Sequence, residues 1–241
     1  MKNILNKLKQ IDWVEYSVQF FLVLISIIIA FNVENYREFK QERRVEHEYL
    51  ESMVDELEED LKYFEGEVFS RQYKIGCYDY LLDNKPEALA YNDTIVHTIF
   101  NMYSIDNNFS PMDITYTSMK TSGKLELIEN KEIRKQIIVL YHRFYQLVYR
   151  KERDYTQMTM NMPERMSRIY SSDPSNQTLV FKYPELLQVL EGEKRQEESQ
   201  MSIYKWGIDG CTKLIDLINE ELEGRGKILS LFESDREEAD E

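Results

Sequence analysis

Three histidines, His47, His97 and His142, and two cysteines, Cys77 and Cys211, are the side chains of this sequence most suited to metal or nucleophilic chemistry. No histidine stands three residues after a glutamate, so the ExxH pair of a di-iron helical bundle is missing. Neither HExxH nor GxSxG occurs. The GRGK run at Gly224–Lys227 lacks the spacing of a phosphate loop and follows no strand pattern. Two distant cysteines make no zinc site, and they read as two free buried thiols rather than as a disulfide. Paired acids are plentiful, as in Asp55, Glu56, Glu58, Glu59 and Asp60, and without histidines among them they read as a solvated helix face. One helix places polar aromatics and cations on adjoining faces, through Tyr141, His142, Arg143, Tyr145, Tyr149 and Arg150. Tyr141, His142, Tyr145 and Tyr149 are therefore the candidate ligand or partner surface. The plainer account of them is a core helix whose tyrosine hydroxyls reach water. No cofactor or metal is expected.

Those residues need long helices to carry them. The chain has 241 residues, with only 8 Gly and 5 Pro, and few breakers favour long helices over many short strands. The formal net charge is -14, which repels phosphate backbones and argues against a nucleic-acid partner.

The strongest single signal is apolar. Ser17–Val33 reads SVQFFLVLISIIIAFNV. With its flanks, Tyr16 to Tyr36 suffices to cross roughly 30 Å of hydrocarbon as a helix. Trp13 and Tyr16 at one end and Tyr36 at the other suit the headgroup level. No small-residue cleavage site follows, because Ala30 has Ile28 two residues before it. Residues 1–36 are thus expected to form an anchor in a lipid bilayer. Residues 1–11 are expected to form an amphipathic helix on the membrane face. Lys2, Lys7 and Lys9 before the span nearly balance Arg37, Lys40, Arg43 and Arg44 after it, and the short basic N-terminus places the large domain on the extracytoplasmic side. Ser26 and Ala30 form a small-xxx-small pair that lets two anchors approach.

Residues 37–232 are expected to form a helical domain. Glu34 to about Lys74 reads as one helix continuing the anchor and running on through Cys77–Leu82 to a loop at Asp83–Pro86. Leu50, Val54, Leu57, Leu61, Phe64 and Val68 repeat at heptad spacing. The seam suits either a bundle core or, through Leu50, Val54, Leu57 and Leu61, a short coiled coil joining copies into a weak homo-oligomer. Further helices are expected at Asp93–Tyr103, Met112–Thr121 and Lys131 to about Met160. Gly123 ends the second of these in the left-handed conformation, with Leu125, Leu127 and Ile128 turned inward, and Asn130 caps the third. The stripe Ile133, Ile137, Leu140 or Tyr141, Phe144 and Val148 faces the core. Thr178–Tyr183 suits a short strand or extended loop, Glu185–Glu193 a helix begun by Pro184, and Glu197–Glu223 a final helix weakened by Gly207 and Gly210. Residues 233–241 read as a disordered acidic tail. The fold class is mostly α: a transmembrane helix continuing into a long helix, then an irregular helical bundle.

Two segments together resemble a known family of uncharacterised bacterial membrane-anchored proteins, a domain of unknown function. They are IIIAFNVENYREFKQERRVEHEYLESMVDELEEDL at Ile27–Leu61 and TYTSMKTSGKLELIENKEIRKQIIVLYHRF at Thr115–Phe144. The turn Ser122-Gly123-Lys124-Leu125, followed by Leu127-Ile128 and Asn130, is the more specific part. Tyr36 stands where the family often shows Trp, which keeps an interfacial aromatic. The matching segments cover roughly a quarter of the chain. The resemblance implies a membrane-anchored helical protein of the bacterial inner membrane, and no reaction. Two functional readings follow. The first is a non-enzymatic, membrane-tethered interaction or sensor module with a protein partner that the sequence does not identify. The second is a membrane-anchored enzyme with an unrecognised site.

Overall fold

The computed structural model describes residues 13–89, 109–160 and 184–237, and every regular element in them is helical. The elements are α1 (Trp13–Leu89), α2 (Ile114–Thr121), a 3-10 turn (Lys124–Leu127), α3 (Lys131–Val139), a π-helical turn (Leu140–Phe144), α4 (Tyr145–Thr159) and α5 (Pro184–Glu237). The expected helices over residues 1–11 and 93–103, and the segment 178–183, lie outside the described residues. The chain divides into two compact units, Met1–Glu48 and Tyr49–Glu241.

In the first unit the large apolar side chains between Tyr16 and Phe39 are all exposed, from 42% to 69%. The polar groups within the apolar run turn back on their own helix. Ser26 Oγ donates to the Leu22 carbonyl at 2.8 Å, and Asn32 Nδ2 to that of Ile28 at 2.7 Å. Such bonds satisfy side-chain donors without water, as an apolar surround requires.

The second unit is built on α1 from Tyr49 onward, α3–α4 and α5. Pairwise contacts fix their directions. Phe64 meets Tyr204, Arg71 meets Glu197 and Asp79 meets Lys194, so α1 and α5 run in opposite directions. Asp60 meets Tyr145 and Tyr63 meets Glu152, so α4 runs with α1. The core joins Leu50, Met53, Leu57 and Phe64 of α1 to Ile133, Ile137, Leu140, Tyr141, Tyr145 and Val148, and to Tyr204, Cys211, Leu214 and Ile218 of α5.

Three local features differ from the sequence expectation. First, α1 passes through Pro86 to Leu89 instead of stopping in a loop at Asp83. A proline removes one donor and crowds the carbonyl four residues back. So near a helix end, few downstream bonds are left to lose. Second, Glu185–Glu193 and Glu197–Glu223 are one helix, α5, which runs past Glu233 to Glu237. Gly207 does not weaken α5 without return, because a Cβ there would stand 2.8 Å from the Phe64 ring. Third, the π-helical turn adds a residue to the face of α3–α4. Leu140 and Tyr141 are therefore both buried, and Tyr145 follows them inward in place of Phe144, which is half-buried at the rim.

The mid-chain turn follows the sequence closely. Asn130 caps α3, its side chain accepting from the Glu132 and Ile133 amides. Ile128 is fully buried, while Leu125 and Leu127 are half-buried. Gly123 adopts φ 72°, with open space where a Cβ would stand. Its requirement is thus one of backbone conformation, not of packing. Gly123→Val is expected to cost about 1–2 kcal/mol of stability in urea unfolding, from the left-handed penalty on a branched residue.

Candidate functional site

The heptad spacing of α1 continues through charged residues. Leu50, Met53, Leu57, Asp60, Phe64, Glu67, Arg71, Lys74 and Tyr78 are all buried. On α5 the buried series is Leu190, Glu193, Glu197, Gln200, Tyr204, Gly207, Cys211, Leu214 and Ile218. Since the two helices run oppositely, the core grades along its length. Leucines and isoleucines fill one end. Phe64, Phe109, Tyr145 and Tyr204 fill the middle, with ring centroids 5.0 to 6.2 Å apart. Glutamates, Arg71 and Lys74 fill the other end.

Three carboxylates organise the polar part. Asp60, only 2% exposed, accepts from the Tyr145 hydroxyl and, at 3.0 Å, from the Met112 amide. Beyond Tyr145 lies the Cys211 thiol, 3.7 Å from the hydroxyl. Burial pushes the Asp60 carboxyl up to about 6, against the pull of its two hydrogen bonds, and Glu56 and Asp113 add like-charge repulsion. Burial also pushes the Cys211 thiol up to about 12, so it stays protonated. Glu152 accepts from the Tyr63 and Tyr204 hydroxyls at 2.9 Å each and from the Phe109 amide. Its carboxyl is likewise raised by burial. Glu197, fully buried, accepts from Arg71 at 2.8 Å and from the Tyr155 hydroxyl. Arg71 also donates to Glu67 at 3.2 Å and lies 4.5 Å over the Tyr155 ring. Lys74 stands 3.8 Å from Glu197, and burial holds its ammonium below the ordinary lysine range.

Asp60 and Glu152 have a further shared role. With Glu56, which accepts from the Thr115 amide at 2.9 Å and hydroxyl at 2.7 Å, they bind three backbone amides of residues 109–115. This segment leads into α2, whose N-terminal residue Asp113 offers no side-chain cap. The carboxylates of α1 and α4 supply acceptors that the segment lacks. Asp60 and Glu56 therefore leave the solvated face on which the sequence reading placed them. Asp55, Glu58 and Glu59 remain exposed.

The sequence-selected residues separate. Tyr141 and Tyr145 turn into the core, and Tyr141 stacks on Tyr116 at 4.5 Å. His142 is exposed on another face. Tyr149 lines a surface pocket of about 320 Å³ with Phe109, Gln146, Arg150, Glu152 and Arg153. Ser26 and Ala30 are exposed in the first unit. Leu50 and Leu57 are fully buried in the chain's own core, and Val54 and Leu61 are half-buried against it. Cys77 and Cys211 are free thiols. Arg71, Glu152 and Glu197 escaped the sequence reading, and Asp60 was placed on the solvated face. On α1 the signal was the heptad spacing itself, continued from Leu57 through Asp60, Phe64 and Arg71.

Fold and site together define a mostly α protein with a buried polar core and, among the described residues, one helix, near the N-terminus, long and apolar enough to cross a membrane. Residues 19–168 match the family of unknown function DUF6090, and the chain belongs to that family, as the resemblance of its two segments implied. No curated protein and no solved structure matches the chain.

The arrangement favours the protonated form of its buried carboxyls. Asp60 has a folded-state pKa above its ordinary 3.8, so folding disfavours its ionised form. Its contribution to stability is full below about pH 4 and is lost as pH rises through about 6. Glu152 acts in the same direction. The domain is expected to gain stability, by up to roughly 3 kcal/mol from Asp60, as pH falls from 7 toward 4. Asp60→Asn keeps an acceptor for Met112 and offers a donor to Tyr145. It is expected to remove most of that slope in urea titrations across this range, and a slope unchanged by the substitution would place the proton elsewhere.

Proposed function

We propose that this chain is a non-enzymatic interaction or sensor module tethered to the bacterial inner membrane by a single N-terminal span, with its helical bundle on the extracytoplasmic side. The observation that carries the tether is the apolar surface of α1. Its most apolar stretch has a mean hydropathy of 2.1 and none of it is buried within the chain. A contiguous surface of that size is unstable in water and matches a lipid bilayer. Lysines before the span and the interfacial Tyr16 and Tyr36 support the same reading.

The bundle interior supports a binding or sensing role over catalysis. Its most perturbed groups bond one another, and of them Glu152 also lines the surface pocket beside Tyr149. The hydroxyls of Tyr63, Tyr145, Tyr155 and Tyr204 are held by carboxylates, and burial pushes all four above the ordinary tyrosine range. A tyrosine or thiol so placed is no nucleophile at neutral pH. The same network is suited to take up a proton and to report it as a change in stability.

Membrane attachment is expected to reside in residues 1–36 alone. The full chain should remain with membranes after carbonate washing, and a fragment beginning at Arg44 should stay in the supernatant. Quantitative recovery of that fragment in the washed membranes would defeat the tether.

A further inference from the structure

The outer face of α1 in the bundle unit has an order of its own. Gly66, Phe69, Tyr73 and Gly76 follow one another at spacings of 3, 4 and 3 residues, opposite the buried series Phe64, Glu67, Arg71, Lys74 and Tyr78. Phe69 is 78% exposed and Tyr73 58% exposed. Tyr80, less exposed, continues the spacing.

The two glycines are unexplained by the protomer. A glycine inside a helix costs chain entropy relative to alanine. Gly207 on α5 has a reason, since a Cβ there would meet Phe64 at 2.8 Å. At Gly66 and Gly76, as at Gly192 and Gly224 of α5, a Cβ would meet nothing within 4 Å, and none of the four has a positive φ. Bare backbone beside exposed rings is the surface that a close-packed second helix requires.

Charge narrows the identity of that helix. The exposed positions of this face from Gly66 to Gly76 are Gly66, Phe69, Gln72, Tyr73 and Gly76, none of them charged, with the exposed Glu65 at its border. At its border Asp79 is paired with Lys194. The chain as a whole carries -14, and Asp55, Glu58 and Glu59 lie exposed two turns upstream. A contact between two copies sets every residue of a patch against the same patch. Two copies of an acidic chain repel across most surfaces, and this stripe is one place where they would not. An unlike partner for an acidic protein would be expected to meet it through charge instead.

We infer that the Gly66–Phe69–Tyr73–Gly76 face docks on the same face of a second copy of this chain, with the rings of each copy lying over the glycine steps of the other. This contact is separate from the apolar span and from the buried Leu50–Phe64 seam, and it does not depend on the proposed tether.

The test uses full-length protein in a mild detergent, carrying Cys77→Ser and Tyr73→Cys so that a thiol stands at the centre of the face. Mild oxidation is expected to give a disulfide-linked dimer. Adding Gly66→Glu and Gly76→Glu should reduce its yield at least about fivefold, by like-charge repulsion across the contact. A dimer held only by the anchor would not respond to these two glutamates. Gly66→Ala with Gly76→Ala should leave the thermal midpoint unchanged or raise it. Absence of the disulfide dimer, a yield indifferent to the glutamates, or a midpoint lowered by the alanines would overturn the inference. The last result would mean that another part of the same chain covers the face.

Discussion

Arg71 and Glu197 meet at 2.8 Å inside the bundle, the guanidinium 2% exposed and the carboxylate fully buried. Removing two charges from water costs several kcal/mol each, and their attraction offsets this only when geometry and further bonds are good. Both conditions are met in large part, although Arg71 Nε has no hydrogen-bond partner. Arg71 also bonds Glu67 and stacks against Tyr155, while Glu197 also accepts from Tyr155 and faces Lys74. Such a pair adds little stability over an apolar one, but it tolerates no slippage. A shift of α5 by one turn along α1 would break this pair and the Tyr155 bond to Glu197. The pair thus fixes which levels of α1 and α5 lie opposite one another.

The other levels follow from that register. With Arg71 against Glu197, Phe64 falls opposite Tyr204 and into the space that Gly207 leaves by lacking a Cβ. A larger residue at 207 would drive the helices apart at the aromatic level. Tyr204 in turn places its hydroxyl on Glu152, and Glu152 accepts from the Phe109 amide. Asp60 and Glu56 hold Met112 and Thr115 by the same means. The segment 109–115 is thus positioned by these three carboxylates together with Phe109, whose ring is buried in the aromatic level of the core. Proton uptake at Asp60 and Glu152 therefore acts at the joint between α1, α4 and this segment.

Much of the architecture was legible in the sequence, and the reasons are local. The apolar run, the Asn130 cap and the left-handed Gly123 each depend on a few neighbouring residues; the run is a helix long and apolar enough to span a membrane, and the cap and the turn stand as read. The Leu50–Phe64 seam was half legible. Leu50, Leu57 and Phe64 lie where the heptad placed them, but the alternate positions belong to Met53 and Asp60 instead of Val54 and Leu61. A count of apolar residues prefers leucine to aspartate, whereas the core accepted the aspartate because Tyr145 and an amide were there to meet it. The π-helical turn was invisible for a similar reason. It places both Leu140 and Tyr141 in the core, a choice that a 3.6-residue period forces between them. The ion pair itself spans 126 residues of sequence, and nothing near Arg71 points to Glu197.

The account stands or falls on whether Arg71 and Glu197 act as one unit. Arg71→Met, Glu197→Leu and the two together, each unfolded in urea at neutral pH, test this directly. Each single change leaves a buried charge without its principal partner and is predicted to cost on the order of 3–5 kcal/mol. The double variant is predicted to cost less than the sum of the two by well over about 1 kcal/mol, because neither charge remains to be stranded. Single variants within about 0.5 kcal/mol of the unaltered protein, or a double variant whose loss equals the sum, would contradict the claim that this pair sets the register of the bundle.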